Sequence, residues 1–446
     1  MASTYLSKTF GSSGNRKTFT LSLWVKVSNF SLDMAFLTYF SDVNNFGKFG
    51  MNGNSGNLAI FNRTGGVFDV NIVSNAVSRD VNGWYHFVAS VDTTQATASD
   101  RVKLYVNGEQ VTSFASSTYP SQNADLQFNT TSLSTIGSWN SSQYFNGSMS
   151  HFHYTDGTAY DASAFGQTDA NGVWTIKTSP SVTYGTNGFF ILKDGNSVTD
   201  QSGNGNNWSV GGGTLTNTED SPSNVFCTFN PLIYHPSNST FSNGNTRVVG
   251  GTPEWRQQGC TIGIAENQGK YYWEMKGVSG ADFNGLVGIK DIFYANQGNF
   301  NYPLGYGSNG GYGISYGKGG ELYENAVPAT SSWGATYTAG DIISVAFDAD
   351  NMNIYFAKNG VWQNSGVPTS GATGTGAVNV ATVSGGENIW LPFVTTHAGG
   401  WDCNFGNGYF GTTAVASAGT NASGIGIFEY DVPTGYTALS TKGLNL

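Results

Sequence analysis

The sequence predicts an all-β protein of two antiparallel β-sandwich domains. Three observations predict it. Short runs alternate between apolar and polar residues and are bounded by Gly, Asn, Asp and Ser, as strands are. Asn-Gly pairs stand between such runs, and both residues of that pair tolerate the positive φ of a tight hairpin. Helical periodicity is nearly absent.

Along the chain, the strand runs are "TFTLSLWVKV", "GWYHFVASVD", "RVKLYVNGEQV", "YYWEMKG", "DIISVAFDA" and "NIYFAKNGVW". In the first, Phe19, Leu21, Leu23, Val25 and Val27 share one face, and Thr18, Thr20, Ser22, Trp24 and Lys26 share the other. That pattern predicts a sheet with one face on a core. Hairpins are expected at "VNGE" (Val106–Glu109) and "KNGV" (Lys358–Val361). A helical turn is expected at "AYDASAFG", capped near Asp161. The polar, Pro-containing stretch "TNTEDSPSNVF" divides the chain into domains of residues 1–220 and 221–446. "YHPSNSTFSNGNTRVVGGTPEW" reads as irregular, and "GVPTSGATGTGAVNVATVSGGEN" as a long loop.

Composition removes several function classes. Of 446 residues, 14% are aromatic and 11% charged, where about a quarter is usual for the latter, so the surface must be covered largely by Asn, Ser, Thr and Gly. The net charge is −10, and the 19 basic residues are scattered. Phosphate recognition needs clustered cations, so no nucleic-acid partner is expected. No apolar run is long enough to span a membrane, and the first residues lack the apolar stretch of a secretory signal. Three widely spaced cysteines, Cys227, Cys260 and Cys403, read as small buried apolar residues.

The first half resembles the laminin-G-like, concanavalin-A-like jelly roll. The resemblance rests on "FTLSLWVKV", "NGWYHFVASVD", "VKLYVNGEQV" and "TIGSWNSSQYFNGSMSHFHYTDGTAYD". In that family a "D-x-S-G-N-G-N" loop ordinarily comes early. Here "DQSGNGNNW" comes last, so the domain reads as circularly permuted, with Phe189–Leu192 pairing beside the opening strands. The second half resembles the SPRY sandwich, through "GKYYWEMKG", "GLVGIK", "GDIISVAFDADNMNIYFAKNGVW" and "LPFVTTHAGGWDCNFG". The two joined resemble virion structural proteins of tailed, notably marine, phages. That resemblance implies a place on the virion surface, as a capsid decoration, knob or tail-associated appendage. It also implies other capsid or tail proteins as partners, host-surface glycans as ligands, and a homo-oligomer on the particle. A tail-fibre receptor-binding protein and a free lectin are the nearest alternatives.

Candidate chemistry is sparse. Asp200, Ser202 and Asn204, with Gly205, have the alternate-oxygen spacing of a calcium loop. Gly211 stands where an EF-hand has its closing Glu, and Ser150 where the resemblance would put a further acid. A hydrogen-bonded Asx turn explains the same residues. His151 and His153, with Asp156 nearby, would make a metal set only with a third ligand; two partly exposed strand histidines is the plainer reading. Glycosidases need two flanking carboxylates. The nearest approach to their closely spaced acids is "EYD" at Glu429–Asp431, and no nucleophile elbow or phosphate loop is present. No enzyme is expected, with an unrecognised carbohydrate-active site as the rival. For ligand binding, Trp139 and Tyr144 in the first half and Tyr302, Tyr306 and Tyr312 in the second offer aromatic faces in loops; in a chain with 23 Tyr and 11 Trp, ordinary packed aromatics is the plainer reading.

Overall fold

A computed structural model of the chain describes residues 3–28, 30, 32–193, 197–233, 239–251, 254–280, 283–295, 302–305, 312–324, 330–380 and 386–446. Two compact units divide between Asn217 and Thr218. The molecule is all-β, its sheets antiparallel apart from one short parallel pair, and among the described residues every helical turn is 3-10. None is long and apolar enough to cross a membrane.

In the first unit the strands are β1 (Tyr5–Lys8), β2 (Thr18–Val27), β3 (Met34–Asp42), β4 (Asn45–Asn52), β5 (Asn57–Thr64), β6 (Val67–Val77), β7 (Tyr85–Asp92), β8 (Val102–Val106), β9 (Glu109–Gln110), β10 (Phe114–Thr118), β11 (Leu133–Ile136), β12 (Gly147–Asp156), β13 (Gly166–Thr168), β14 (Trp174–Ile176), β15 (Phe189–Ile191) and β16 (Ser209–Gly212). Eight form a sheet in the order β10-β6-β5-β4-β3-β11-β1-β16, and six form a second in the order β15-β12-β2-β7-β8-β9. The core lies between them. Phe19, Leu21, Leu23, Val25 and Val27 of β2 are all fully buried there, in one cluster with Phe36, Phe49, Ile60 and Phe87. Each such side chain contributes about 1.5–3 kcal/mol of transfer free energy.

The turn chemistry is as the sequence predicts. Asn107 and Gly108 have φ of 48° and 88°, and Asn359 and Gly360 have 48° and 79°. The Asn107 carboxamide also accepts from the His86 N–H, as Asn359 does from the Ile342 N–H. Asp161 caps the 3-10 turn Ala162–Ala164.

Three expectations are corrected. The second face of β2 is not open to solvent: Thr20, Ser22, Trp24 and Lys26 are buried as well. The connection after β12 and the β13–β14 hairpin lie over that face. Thr20 Oγ1 donates to Thr158 O and accepts from Tyr160 N, while Trp174 of β14 stacks on His86 of β7. The strand at Phe189 pairs with β12, which separates it from β2; it is β16 that pairs with the opening strand β1. Trp208 just before β16 fills the core against Phe189, at 5.1 Å between rings, and so draws the chain across to the other sheet. The stretch expected to be irregular holds a hairpin, Ser239–Ser242 with Arg247–Gly250.

In the second unit Lys270–Val278 lies centrally in a nine-stranded sheet, between Ile342–Asp348 and Gly400–Asn404. A six-stranded sheet is centred on Leu286–Asp291 and Ile389–Thr396. Trp273, Trp390 and Trp401, all fully buried, belong to the core of this unit. Tyr272 and Glu274 point to the other side of the nine-stranded sheet. A C-terminal segment crosses them there, with Phe428 edge-on to Tyr272 and Thr437–Ala438 pairing in parallel with Tyr271 and Tyr272. The three cysteines are buried thiols.

Candidate functional site

Strand register assembles an aromatic row on the outer face of the eight-stranded sheet. Side chains of directly paired residues share a face. Leu133 pairs with Phe40, Phe40 with Phe46, Phe46 with Arg63, and Arg63 with Phe68. None of these belongs to the core cluster, whose residues Tyr39, Phe49, Ile60 and Val70 alternate with them. Trp139, half-buried, stands edge-on to both Phe40 and Phe46 at 5.9 and 5.7 Å. Phe68 lies edge-on to Phe46 and Phe61, and the Arg63 guanidinium lies 5.2 Å from the Phe68 ring centre. Arg63 is itself held by carbonyls of Gly66 and Val43. Phe68 is 41% exposed and Leu133 49%, so the row is open at its two ends. Trp139 Nε1 is buried without a hydrogen-bond partner among the described residues, so the indole offers its ring rather than its N–H.

Beside the row, the Lys48 ammonium donates to Asp33 Oδ1 at 2.8 Å and Gln143 Oε1 at 2.7 Å. Burial lowers the Lys48 pKa, and Asp33 opposes that shift. The loop carrying Trp139 is tightly wound. Asn140, Ser141 and Gln143 all have positive φ, and Trp139 and Ser142 exchange both backbone hydrogen bonds. Non-glycine residues held in this region cost of order 1 kcal/mol each and cluster where a surface is shaped for a purpose.

Tyr144 belongs elsewhere: its ring contacts Tyr5 at 6.3 Å. The structure therefore does not join Trp139 and Tyr144 into one platform. In the second unit Tyr312, 39% exposed, packs on Tyr294 at 4.7 Å. Tyr302 is half-buried, and its carbonyl accepts from Gln257. Tyr306 lies outside the described residues.

The Asp200 loop is closed by its own hydrogen bonds. Asp200 Oδ1 accepts from the N–H groups of Phe190 and Ser202, and Oδ2 from Ser202 Oγ and Asn206 N–H. The Asn204 amide donates to the carbonyls of Gly185 and Gly188. All these donors occupy the lone pairs that calcium would need, and the loop contains one carboxylate. The residues do not fit the ion, and this arrangement is that of an Asx turn. Among the described residues no group of three His, Cys, Asp or Glu side chains is placed to hold a metal.

The histidines are not partly exposed: His151 and His153 are 4% and 2% exposed. A bulge in β12 falls between Ser150 and His153, and both rings lie against Phe190. Asp156 is engaged elsewhere, accepting from Asn15 N, Asn129 Nδ2 and Asn187 N. His86 is more constrained. Trp174 Nε1 lies 3.1 Å from His86 Nδ1, and Ser22 Oγ lies 2.9 Å from Nε2. An indole N–H only donates, so Nδ1 must accept and the imidazole proton sits on Nε2. Burial lowers the His86 pKa to about 3.

Sequence reasoning missed Phe40, Phe46, Arg63 and Phe68. Their signal was alternation in "AFLTYFSD", "NFGKFGMN" and "NLAIFNRT", which sets two aromatics apart from the core-facing residues of β3 and β4. Their convergence appears only once strand order is fixed.

Residues 2–159 match the family described as the concanavalin A-like lectin/glucanases superfamily. Among solved structures, the SPRY domain of human HERC1 is 18% identical, with 39% of this chain and 96% of that one covered and a TM-score of 0.29. Domain 4 of the Geobacillus stearothermophilus extracellular arabinanase AbnA, solved with arabinotriose, is 19% identical over 33% of this chain and 64% of that one, with a TM-score of 0.26. A heptameric SAP-like pentraxin from Limulus polyphemus is 13% identical over 35% and 71%, also with a TM-score of 0.26. Comparison with curated proteins gave no match.

Proposed function

We propose that this chain is a non-enzymatic glycan-binding protein whose first unit holds sugar along the aromatic row. The observation that carries the reading is the line of Phe40, Phe46 and Phe68 over strands β3 to β6, in which Phe46 is buried beneath Trp139 and Phe68, and Phe68 is exposed at one end beside Arg63. Rigid aromatic faces stack on the C–H faces of sugars with little loss of side-chain entropy. The match of residues 2–159 to a lectin-containing superfamily supports it. Three carboxylates beside the row are engaged, Asp33 by Lys48, Asp42 by Asn44 and Asn45, and Asp69 by Asn62, whereas hydrolysis of a glycosidic bond needs two, one of them free to carry a proton.

The proposed setting is the virion surface of a tailed phage. There the chain is a capsid decoration or tail-associated appendage, seated as a homo-oligomer on other virion proteins. A surface poor in charge and rich in Asn, Ser and Thr supports adhesion where salt screens ion pairs. Phe68→Ala and Trp139→Ala proteins on a glycan array test the binding face. Phe68 is exposed enough to be removed without disturbing the core. A loss of at least ~10-fold in both is expected, as for central contact residues, and unchanged binding overturns the face. Mass spectrometry of purified particles tests the setting, and absence of the chain from them overturns it. Hydrolysis of a bound polysaccharide, abolished by one carboxylate substitution, would favour the enzyme instead.

A further inference from the structure

A second, chemically different site lies in the second unit, on the face of the nine-stranded sheet that the C-terminal segment crosses. Tyr272, Glu274 and Lys276 alternate onto that face. The segment lies over the first two, while Lys276 lines an open cleft of about 350 Å³. Cross-strand pairing sets Arg247, Asp402 and Lys276 in one line. Arg247 grips Asp402 with both arms of its guanidinium, at 2.6 Å each, so those two charges cancel. Gly411 makes the grip possible: a Cβ there would stand 2.7 Å from Arg247 Nη2. Lys276 remains. Its ammonium lies 5.4 Å from the centre of the buried Phe410 ring, and it has no hydrogen-bond or ion-pair partner among the described residues. The ring fixes the cation in place without neutralising it.

We propose that this cleft binds the carboxylate of an acidic sugar, a hexuronic acid residue of a glycan. The charge balance suits a singly charged anion: one uncompensated cation, Lys276, stands beside the self-neutralised Arg247–Asp402 pair and offers one positive charge to match. The exposed hydroxyls of Ser279 and Thr413 line the same cleft and can hydrogen-bond ring hydroxyls. The volume lies at the small end of the ~300–1,000 Å³ of ligand pockets, enough for one ring or two. This site goes beyond the aromatic row and is independent of it, since its residues all belong to the other unit.

The test is titration calorimetry of the full chain with methyl β-D-glucuronide, methyl β-D-glucoside, inorganic sulfate and a Glu-rich tripeptide. The glucuronide is expected to bind at least ~10-fold more tightly than the glucoside, and Lys276→Gln to lose at least ~10-fold, as for a charge-assisted contact. Thr413→Ala, at an exposed position, is expected to weaken glucuronide binding a few-fold, and the Lys276-dependent part of that binding is expected to persist in a Trp139→Ala background, where the aromatic row is disabled. The proposal is overturned if the glucuronide does not bind, or binds no better than the glucoside. It also fails if Lys276→Gln has no effect, or if sulfate or the peptide binds more tightly. If Trp139→Ala also abolishes the Lys276-dependent preference for glucuronide over glucoside, the cleft is not independent of the row and the proposal is overturned.

Discussion

The two units solve one problem with opposite chemistry. Each has a sheet whose outer face is crossed by a segment from elsewhere in the chain, and each has a buried titratable side chain under that segment. In the first unit it is His86, between the rings of Trp24 and Trp174 at 4.8 and 5.9 Å. In the second it is Glu274, fully buried, accepting from the N–H groups of Glu429 and Tyr430, from Asn404 Nδ2 and from Tyr272 Oη. The histidine is held by remaining neutral. The carboxylate collects four donors, yet burial still raises its pKa to about 7. Each of these covered faces holds a polar anchor, and the charge type of that anchor sets how its ionisation couples to pH.

Acidity is the broadest way to break the comparison. His86 has its folded pKa depressed, so its contribution is present above the unfolded value near 6.5 and is lost as pH falls toward 3. Glu274 has its folded pKa raised, so its contribution is present below the unfolded value near 4.5 and is lost as pH rises through about 7. Between pH 4.5 and 6.5 the first unit should gain stability with rising pH while the second loses it. Hydrogen exchange of core amides in each unit reads the two separately, and a parallel drift of both units contradicts the assignment.

Substitution sharpens the same contrast. Glu274→Ala leaves the Glu429 and Tyr430 N–H groups without their acceptor and should destabilise the second unit by about 3 kcal/mol, measured by urea unfolding. Trp174→Ala removes a half-buried ring and the donor to His86, and should cost the first unit about 2 kcal/mol. Because Nδ1 then loses its donor, the His86 pKa should rise toward its unfolded value and the acid-induced loss of first-unit stability should shrink; an unchanged loss would show that Trp174 does not set the tautomer. The smallest effect expected is from calcium. With the Asp200 oxygens already taken by four donors, adding calcium or a chelator should leave the melting temperature of the first unit where it was.

Much of the fold was legible in the sequence because it is locally encoded. Asn107-Gly108 and Asn359-Gly360 announce their turns through backbone sterics alone, and the alternation of β2 names its core face. The covered outer faces were not legible. Alternation says which face is apolar, and Ser22, His86 or Glu274 looks like a solvent-facing residue until its partner arrives. Those partners are remote: Ser22 and His86 are 64 positions apart, and Glu274 and Tyr430 are 156 apart. The candidate site was legible in one residue, Trp139. The rest of its row is set by which strands neighbour β4, and a single sequence does not state that order. Asp200 shows the reverse case, in which an oxygen-rich spacing fits two structures and the hydrogen bonds choose between them.

The segment crossing Glu274 also has a meaning in time. Chains are made from the N-terminus, and early domains can fold while later ones are still being synthesised. The first unit has all its strands once β16 has left the ribosome. The second begins its central strand at Lys270 but must wait for Glu429, Tyr430 and the parallel strand Thr437–Ala438 before Glu274 is satisfied and Tyr272 is covered. For that interval the nascent second unit lacks the segment that covers Tyr272 and supplies two of the four donors to Glu274.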